Sequence, residues 1–309
     1  MIRPVLVLML GLAGQISLGQ AAFFGIGAYL TSNLVTKLGV EPVLAIVVAA
    51  LGAMLLGWAI SRPLSRLHDH YLAMATLAFG TVMYIGFANA RDWTGGLDPG
   101  MSVPKFTVFG YDMSSMNALF VVSWIALTLS VFVANNIFGH RIGRTLRAMK
   151  MSAPAAASVG IDVKRMRWIG WTLSCAMSAV GGALWAYFIV QFTPNNFYVH
   201  ETFLIVAMLV IGGAASVSGA VVGAIVVALS SEFLRQTETW LNTQRNDGTT
   251  IGSLLPFQLI GFTEIVLAIV MILVLITRPS GLLAGRELRW PRGAPQAGVT
   301  DLAEGIDEA

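Results

Sequence analysis

Charge is what this chain has least of. Lys, Arg, Asp and Glu make up 11% of its 309 residues against 56% hydrophobic ones, and the mean hydropathy is +0.74. So few charges cannot clothe a soluble globule, which leaves an integral membrane protein. Cysteine is nearly missing as well. Cys175 stands alone in an apolar run, so an intrachain disulfide and a cysteine-based metal cluster are excluded. Enzyme signatures are wanting: there is no Walker loop, no histidine pair at helical metal spacing, no Gly-x-Ser-x-Gly elbow and no cluster of intramembrane carboxylates for proton pumping. His68, His70, His140 and His200 fall in predicted loops. Neither a catalytic residue nor a metal site is expected. The net charge of +3 is carried by a few loops and bears on topology, not on nucleic acid. The opening MIRPVLVLML has too short an apolar run for a signal sequence and reads as part of a first span.

What the chain does have is a series of apolar runs near the length that crosses a bilayer. They predict an all-α, polytopic membrane protein of about nine membrane segments, over residues 2–13, 20–36, 42–61, 71–90, 117–138, 168–190, two short halves of 202–230, and 257–276. A single transmembrane domain would occupy 1–290, followed by a polar tail over 291–309. Two runs are broken. Gly14-Gln15-Ile16-Ser17-Leu18-Gly19-Gln20 crowds amides and glycines that a lipid-facing helix does not tolerate, because unsatisfied amides in hydrocarbon cost several kcal/mol. Gly212-Gly213-Ala214-Ala215-Ser216-Val217-Ser218-Gly219 interrupts a stretch too long for one span. The two breaks share a Gly-x-x-Ser core, which fits either an internal repeat or a coincidence in a glycine-rich chain.

Basic residues set the orientation. Arg141, Arg144, Arg147 and Lys150, then Lys164, Arg165 and Arg167, face only Asp162 across residues 140–167, so this segment is expected in the cytoplasm. Arg278, Arg286, Arg289 and Arg292 put the tail on the same side, and that requires residues 202–230 to cross as a pair of half-helices. Residues 91–116, 191–201 and 231–256 become outer loops. Trp58, Trp93, Trp168, Trp171 and Tyr198 fall near span ends and suit an interfacial belt.

The breaks are the candidate translocation path. Half-helix termini expose N–H and C=O groups that can meet a polar solute near mid-membrane, and Gln15, Ser17, Gln20 and Ser216 would add side chains to that path. Equally, glycine and serine permit close helix packing with the amides satisfied internally. Glu264, isolated in the last apolar run about two turns in, lines the path, sits in the interface or bonds a neighbouring helix. Glu201 and Glu232 sit at span edges and read as solvated. In the basic segment, Arg141, Arg144, Arg147 and Lys150 recur every third residue, a stripe on a helix. Ser152 can cap a second, short helix, with Pro154 in its first turn, Ala155, Ala156, Ala157 and Val159 as a narrow apolar surface, and Gly160 at its end. That surface suits either the groove of another protein or a bed of anionic headgroups.

Several stretches together resemble the LivM-type permeases of ATP-driven branched-chain amino acid importers. They are Gly14 to Tyr29, Tyr71 to Gly80, Thr94-Gly95-Gly96, Gly143 to Ala148, Ala155 to Asp162, Gly181 to Leu184, Gly212-Gly213 and Arg278 to Leu283, in the family's order. The resemblance implies a permease subunit of a binding-protein-dependent importer in a bacterial inner membrane, with residues 140–167 and the tail cytoplasmic. It implies a second related permease subunit, two cytoplasmic ATPase subunits that carry ATP and Mg, and a periplasmic solute-binding protein. No cofactor is implied in this chain, which would make and break no covalent bond. Residues 140–167 would hold the segment that couples to the ATPase, carried by Arg144, Arg147, Ser152, Pro154, Ala155, Ala156, Ala157 and Gly160. An equivalent permease for urea or short amides is the alternative, and a self-sufficient carrier or channel is a further one. The chain departs from the family twice. Met151-Ser152-Ala153 is uncharged where members usually have acidic residues, and members usually carry another span before the first break. Either the start shown is truncated or this member manages without that span.

Overall fold

The computed structural model describes residues 18–64, 67, 69–108, 111–213, 217–246 and 261–277. Helix α1 (Gln20–Leu38) is the axis of the bundle, with every residue from Gln20 to Tyr29 buried. A helix that is apolar all round can only be satisfied by surrounding it. Its neighbours are α2 (Pro42–Leu64), α3 (Asp69–Asn89) and α8 (Val163–Ile189). Helix α2 packs inward through Ala45, Ala49, Ala53 and Gly57, one small residue per turn, and exposes Leu44, Val47, Leu51 and Leu55. Without a hydrophobic drive between helices in lipid, small residues that let backbones approach are what hold such pairs. The α1–α8 crossing is closer still: a Cβ at Gly27 would collide with the Ala179 carbonyl, and one at Gly182 with the Phe24 carbonyl.

After α3 come a short helix α4 (Arg91–Thr94) and the strands β1 (Met101–Ser102), β2 (Thr107–Val108) and β3 (Tyr111–Asp112). Then follow α5 (Met116–Gly139), α6 (Arg141–Met151), α7 (Ala153–Ser158) and α8, which leads to β4 (Gln191–Phe192) and a 3₁₀ turn (Pro194–Phe197). Helices α9 (Val199–Gly212), α10 (Val217–Asn246) and α11 (Phe262–Thr277) complete the described chain. β2 and β3 form a small hairpin, and β1 pairs antiparallel with β4 through Met101↔Phe192 and Ser102↔Gln191. Two loops expected on one side are thus stitched together at one end of the bundle. Phe197 of the 3₁₀ turn caps that end, ringed by Phe24, Tyr29, Phe87, Trp185 and Phe192 at centroid distances of 5.4–6.3 Å.

Among the described residues, five helical stretches are long and apolar enough to cross a membrane: Pro42–Leu64, Tyr71–Asn89, Met116–Val133, Val163–Ile189 and Pro194–Gly212. The expected all-α, polytopic architecture is therefore present. The expected segment 2–13 lies outside the described residues, as do Gly14, Gln15 and Ser17 of the first break. At the second break α9 ends at Gly212, Gly213 takes a φ of +98°, and α10 starts at Val217. Gly212 meets Gly219 and Gly223, and Gly223 meets Met208, so α9 and α10 run antiparallel as a hairpin.

Three expectations need correction. Residues 231–246 are not loop: α10 continues as helix to Asn246, with Glu232 and Arg235 in an i,i+3 pair on its polar half. Lys164, Arg165 and Arg167 are not loop residues either, because Asp162 accepts a hydrogen bond from the Arg165 amide and starts α8 at Val163. Trp171, assigned to an interfacial belt, is 3% exposed and packs edge-on against Phe23, since α8 begins earlier and carries it inside.

Candidate functional site

The first break is anchored where the chain enters the described structure. The Leu18 amide donates to Thr76 Oγ1 at 3.0 Å, and Gly19 lies so close to α3 that an added Cβ would stand 2.6 Å from the Thr76 carbonyl oxygen. Gly80, one turn further along α3, faces Leu18 and Gly19. Only glycine permits that approach of a non-helical entry to a helix backbone.

Two residues on, Gln20 is fully buried. Its Nε2 donates to Ser174 Oγ at 2.9 Å, and its Oε1 accepts from Ser178 Oγ at 2.6 Å. Ser174 and Ser178 are four apart on α8 and so share a face. Both ends of the Gln20 amide are met inside the protomer, between two closely packed helices. Its geometry is that of a polar clamp, with the aromatic ring around Phe197 closing the bundle beyond it.

The opposite end of α8 carries the basic elements. Ser152 joins α6 to α7 with extended dihedrals of −158° and 108°, ending one helix and starting the next. Its amide donates to Ala148 O, and its Oγ accepts from the Ala155 amide at 3.3 Å. Pro154 sits in the first turn of α7. Gly160, at a φ of +82°, follows its end, in the left-handed conformation that glycine adopts without strain. Gly143, Leu146 and Met149 of α6 and Ala156 of α7 are buried, while Arg144, Pro154, Ala155, Ala157 and Val159 are exposed. Near the start of α8 the Arg62 guanidinium lies 4.1 Å from the Trp58 ring and 5.3 Å from the Trp168 ring, and Trp168 Nε1 donates to Trp58 O. Arg147 lies within α6 and Glu264 is the third residue of α11; neither side chain is described. Glu264 falls in the first turn of α11, where a carboxylate suits the positive end of the helix dipole, and the expected start of the last span at 257 lies outside the described residues. Ser216 falls outside the described residues.

The stitched end holds a cavity of about 910 Å³ between α5, α8, α9, α10 and α11. Glu201, Glu232, Arg235 and Glu238 stand among its polar lining, and Trp185, Phe188 and Leu204 among its apolar one. Glu238, on the polar half of α10, accepts from the amides of Gly261 and Thr263 and from Thr263 Oγ1 at 2.7 Å, capping α11. The Thr263 hydroxyl, supported by the two amides and opposed by burial, holds its carboxyl below the ordinary value. The sequence reading missed this cap because its partners are more than 20 residues away. It also missed Ser174 and Ser178, although their spacing of four within an apolar run was a signal for a buried polar partner.

The comparisons with known proteins cover almost the whole chain. The family profile "Branched-chain amino acid transport system / permease component" matches residues 6–275. The high-affinity branched-chain amino acid transport system permease protein LivM of Escherichia coli K12 is 27% identical over 298 residues, covering 89% of this chain and 65% of the relative. LivM of Salmonella typhimurium is 26% identical over the same shares. This chain therefore spans just under two thirds of the length of either. The probable permease protein LivH of Methanocaldococcus jannaschii is 26% identical over 225 residues, 70% of each chain. No solved structure matches significantly. A profile that runs from the first apolar segment to the end of α11, over a bundle of membrane-length helices, leaves one conclusion: the chain belongs to the permease-component family of branched-chain amino acid transport systems.

Proposed function

We propose that the protein is a membrane-spanning permease subunit of an ATP-driven, binding-protein-dependent importer of branched-chain amino acids in a bacterial inner membrane. It forms half of the translocation path beside a second, related permease subunit. A periplasmic solute-binding protein delivers the solute at the stitched end, and two cytoplasmic ATPase subunits dock at the α6–α7 end. The observation that carries this reading is the family match over residues 6–275, with LivM-named and LivH-named permeases among the relatives.

Two structural features support the division of labour. The protomer interior is packed: Gln20 is clamped by serines, and the Phe197 ring cluster stands beyond it. A path bordered by this chain then lies on its surface, where a second permease completes it. The paired short helices α6 and α7 present an exposed Ala155, Ala157 and Val159 beside basic Arg144, while buried Leu146, Met149 and Ala156 tie them to the bundle. A rigid, two-sided element of this kind passes a push from a docked partner to α8. The uncharged Met151-Ser152-Ala153 makes the contact depend on shape and on the flanking arginines.

Reconstitution tests the proposal. Proteoliposomes with both permeases, both ATPases, ATP and the binding protein should accumulate leucine, isoleucine or valine, and liposomes holding this chain alone should not. Equal flux from the chain alone would make it a self-sufficient carrier.

A further inference from the structure

Among the described residues, every one with a positive φ is a glycine except Val190, at φ 67° and ψ −41°. A β-branched residue is a genuine outlier there, and this ψ carries it off the left-handed helical basin toward the strained γ-turn conformation. Such a conformation persists only where its surroundings over-determine it. Packing of the side chain is not the cause, because Val190 is 55% exposed.

The backbone is the cause. The Val190 amide donates to Ala186 O at 2.9 Å and closes the last turn of α8, while its carbonyl accepts from the Val103 amide at 2.8 Å. A right-handed helical conformation would keep the first bond and aim the carbonyl along α8; an extended one would serve the strand and give up the turn. The residues beyond it are pinned. Phe192 is 1% exposed, β4 pairs with β1, and Gln191 Nε2 donates to Pro99 O at 2.8 Å. A single residue therefore joins a helix to a fixed strand, and the mismatch between them is concentrated in its dihedrals.

That junction stands beside the chamber at the stitched end. Trp185, Phe188 and Ile189, in the last two turns of α8, form the chamber's wall on that side. We infer that Val190 is a strained switch. It holds the last turn of α8 wound, and its relaxation to a negative φ releases that turn and the Val103 bond as one unit. In the wound state Phe188 and Ile189 stand against the chamber, and in the released state they leave it, so the chamber has two shapes. Hinges are element-terminal residues that absorb a change in φ and ψ in this way. The device belongs to the fold and holds whatever the transported solute is.

Hydrogen exchange on the purified full-length chain in lipid nanodiscs, resolved to single amides, tests it. The amides of Val103, Ile189 and Val190 should exchange together, and faster than those of Ala179 and Ala183 deeper in α8. Val190→Gly takes the same dihedrals without strain, so it should slow all three about fivefold, the relief being partly offset by the freedom of glycine in the released state. Val190→Ile keeps the β-branch at an exposed position and should exchange as the unmodified chain does. Exchange in Val190→Gly equal to or faster than in the unmodified chain would overturn the switch. Slowing at Val103 alone would overturn it as well, because strand and turn would then open separately. Equal slowing by Val190→Ile would also overturn it, since strain would not be the quantity changed.

Discussion

Replacing Gln20 with leucine separates the two roles that its position admits. The side chain is fully buried, and its amide makes bonds of 2.9 and 2.6 Å to Ser174 and Ser178. Leucine nearly conserves the volume and removes both bonds, leaving the Ser178 hydroxyl without its acceptor. Interhelical hydrogen bonds in membrane bundles average about 0.6 kcal/mol and reach about 1.7, so the pair contributes about 1–3 kcal/mol. Unfolding in mild detergent, followed by tryptophan fluorescence, should show Gln20→Leu destabilised by that amount. Ser178→Ala alone should cost about half as much, and the double variant should cost clearly less than the sum, the mark of a direct coupling. Transport by the assembled complex should fall only as far as the amount of folded protein does. If Gln20→Leu kept full stability while abolishing transport, the clamp would be wrong and Gln20 would line the path.

Three further outcomes follow from the geometry. Gly182→Leu should prevent recovery of monodisperse protein, because any side chain there meets the Phe24 backbone, whereas Gly86→Ala, with nothing within 4 Å, should behave as the unmodified chain in the same size-exclusion assay. Ser152→Ala should remove the cap of α7 and cost about 0.5–2 kcal/mol locally, read as faster amide exchange at Ala155 with α8 unaffected. Asp112, outside the membrane, should titrate at about 2, held down by the hydroxyl and amide of Ser114 and by Lys105. Its pKa is depressed in the folded chain, so its contribution to the β2–β3 hairpin is full above the ordinary value of 3.8 and disappears as pH falls through about 2; a carboxyl NMR midpoint near 3.8 would remove those contacts.

Much of the bundle was legible because the bilayer imposes a length on each apolar run. The edges of α1, α2, α3 and α5 fall within a few residues of those expected from hydropathy. The turn between α6 and α7 was legible for a different reason: Ser152, Pro154 and Gly160 act through their own backbones, and local rules suffice for them. Helix continuation was not. The polar sequence after Ser230 looks like loop, yet α10 persists to Asn246, supported by the Glu232–Arg235 pair and by Glu238 reaching α11. Gln20 was recognised as anomalous in an apolar run. Whether it clamps a helix or meets a solute depends on α8, more than 150 residues away, and only the fold brings Ser174 and Ser178 to it.

The most direct test of the coupling role is solute-stimulated ATP hydrolysis by the complete assembly carrying Arg144→Glu and Arg147→Glu. Hydrolysis should no longer respond to the loaded binding protein, in complexes where this subunit is inserted at its normal level. Stimulation equal to that of the unmodified assembly would contradict it and remove α6 and α7 from the path between ATPase and membrane.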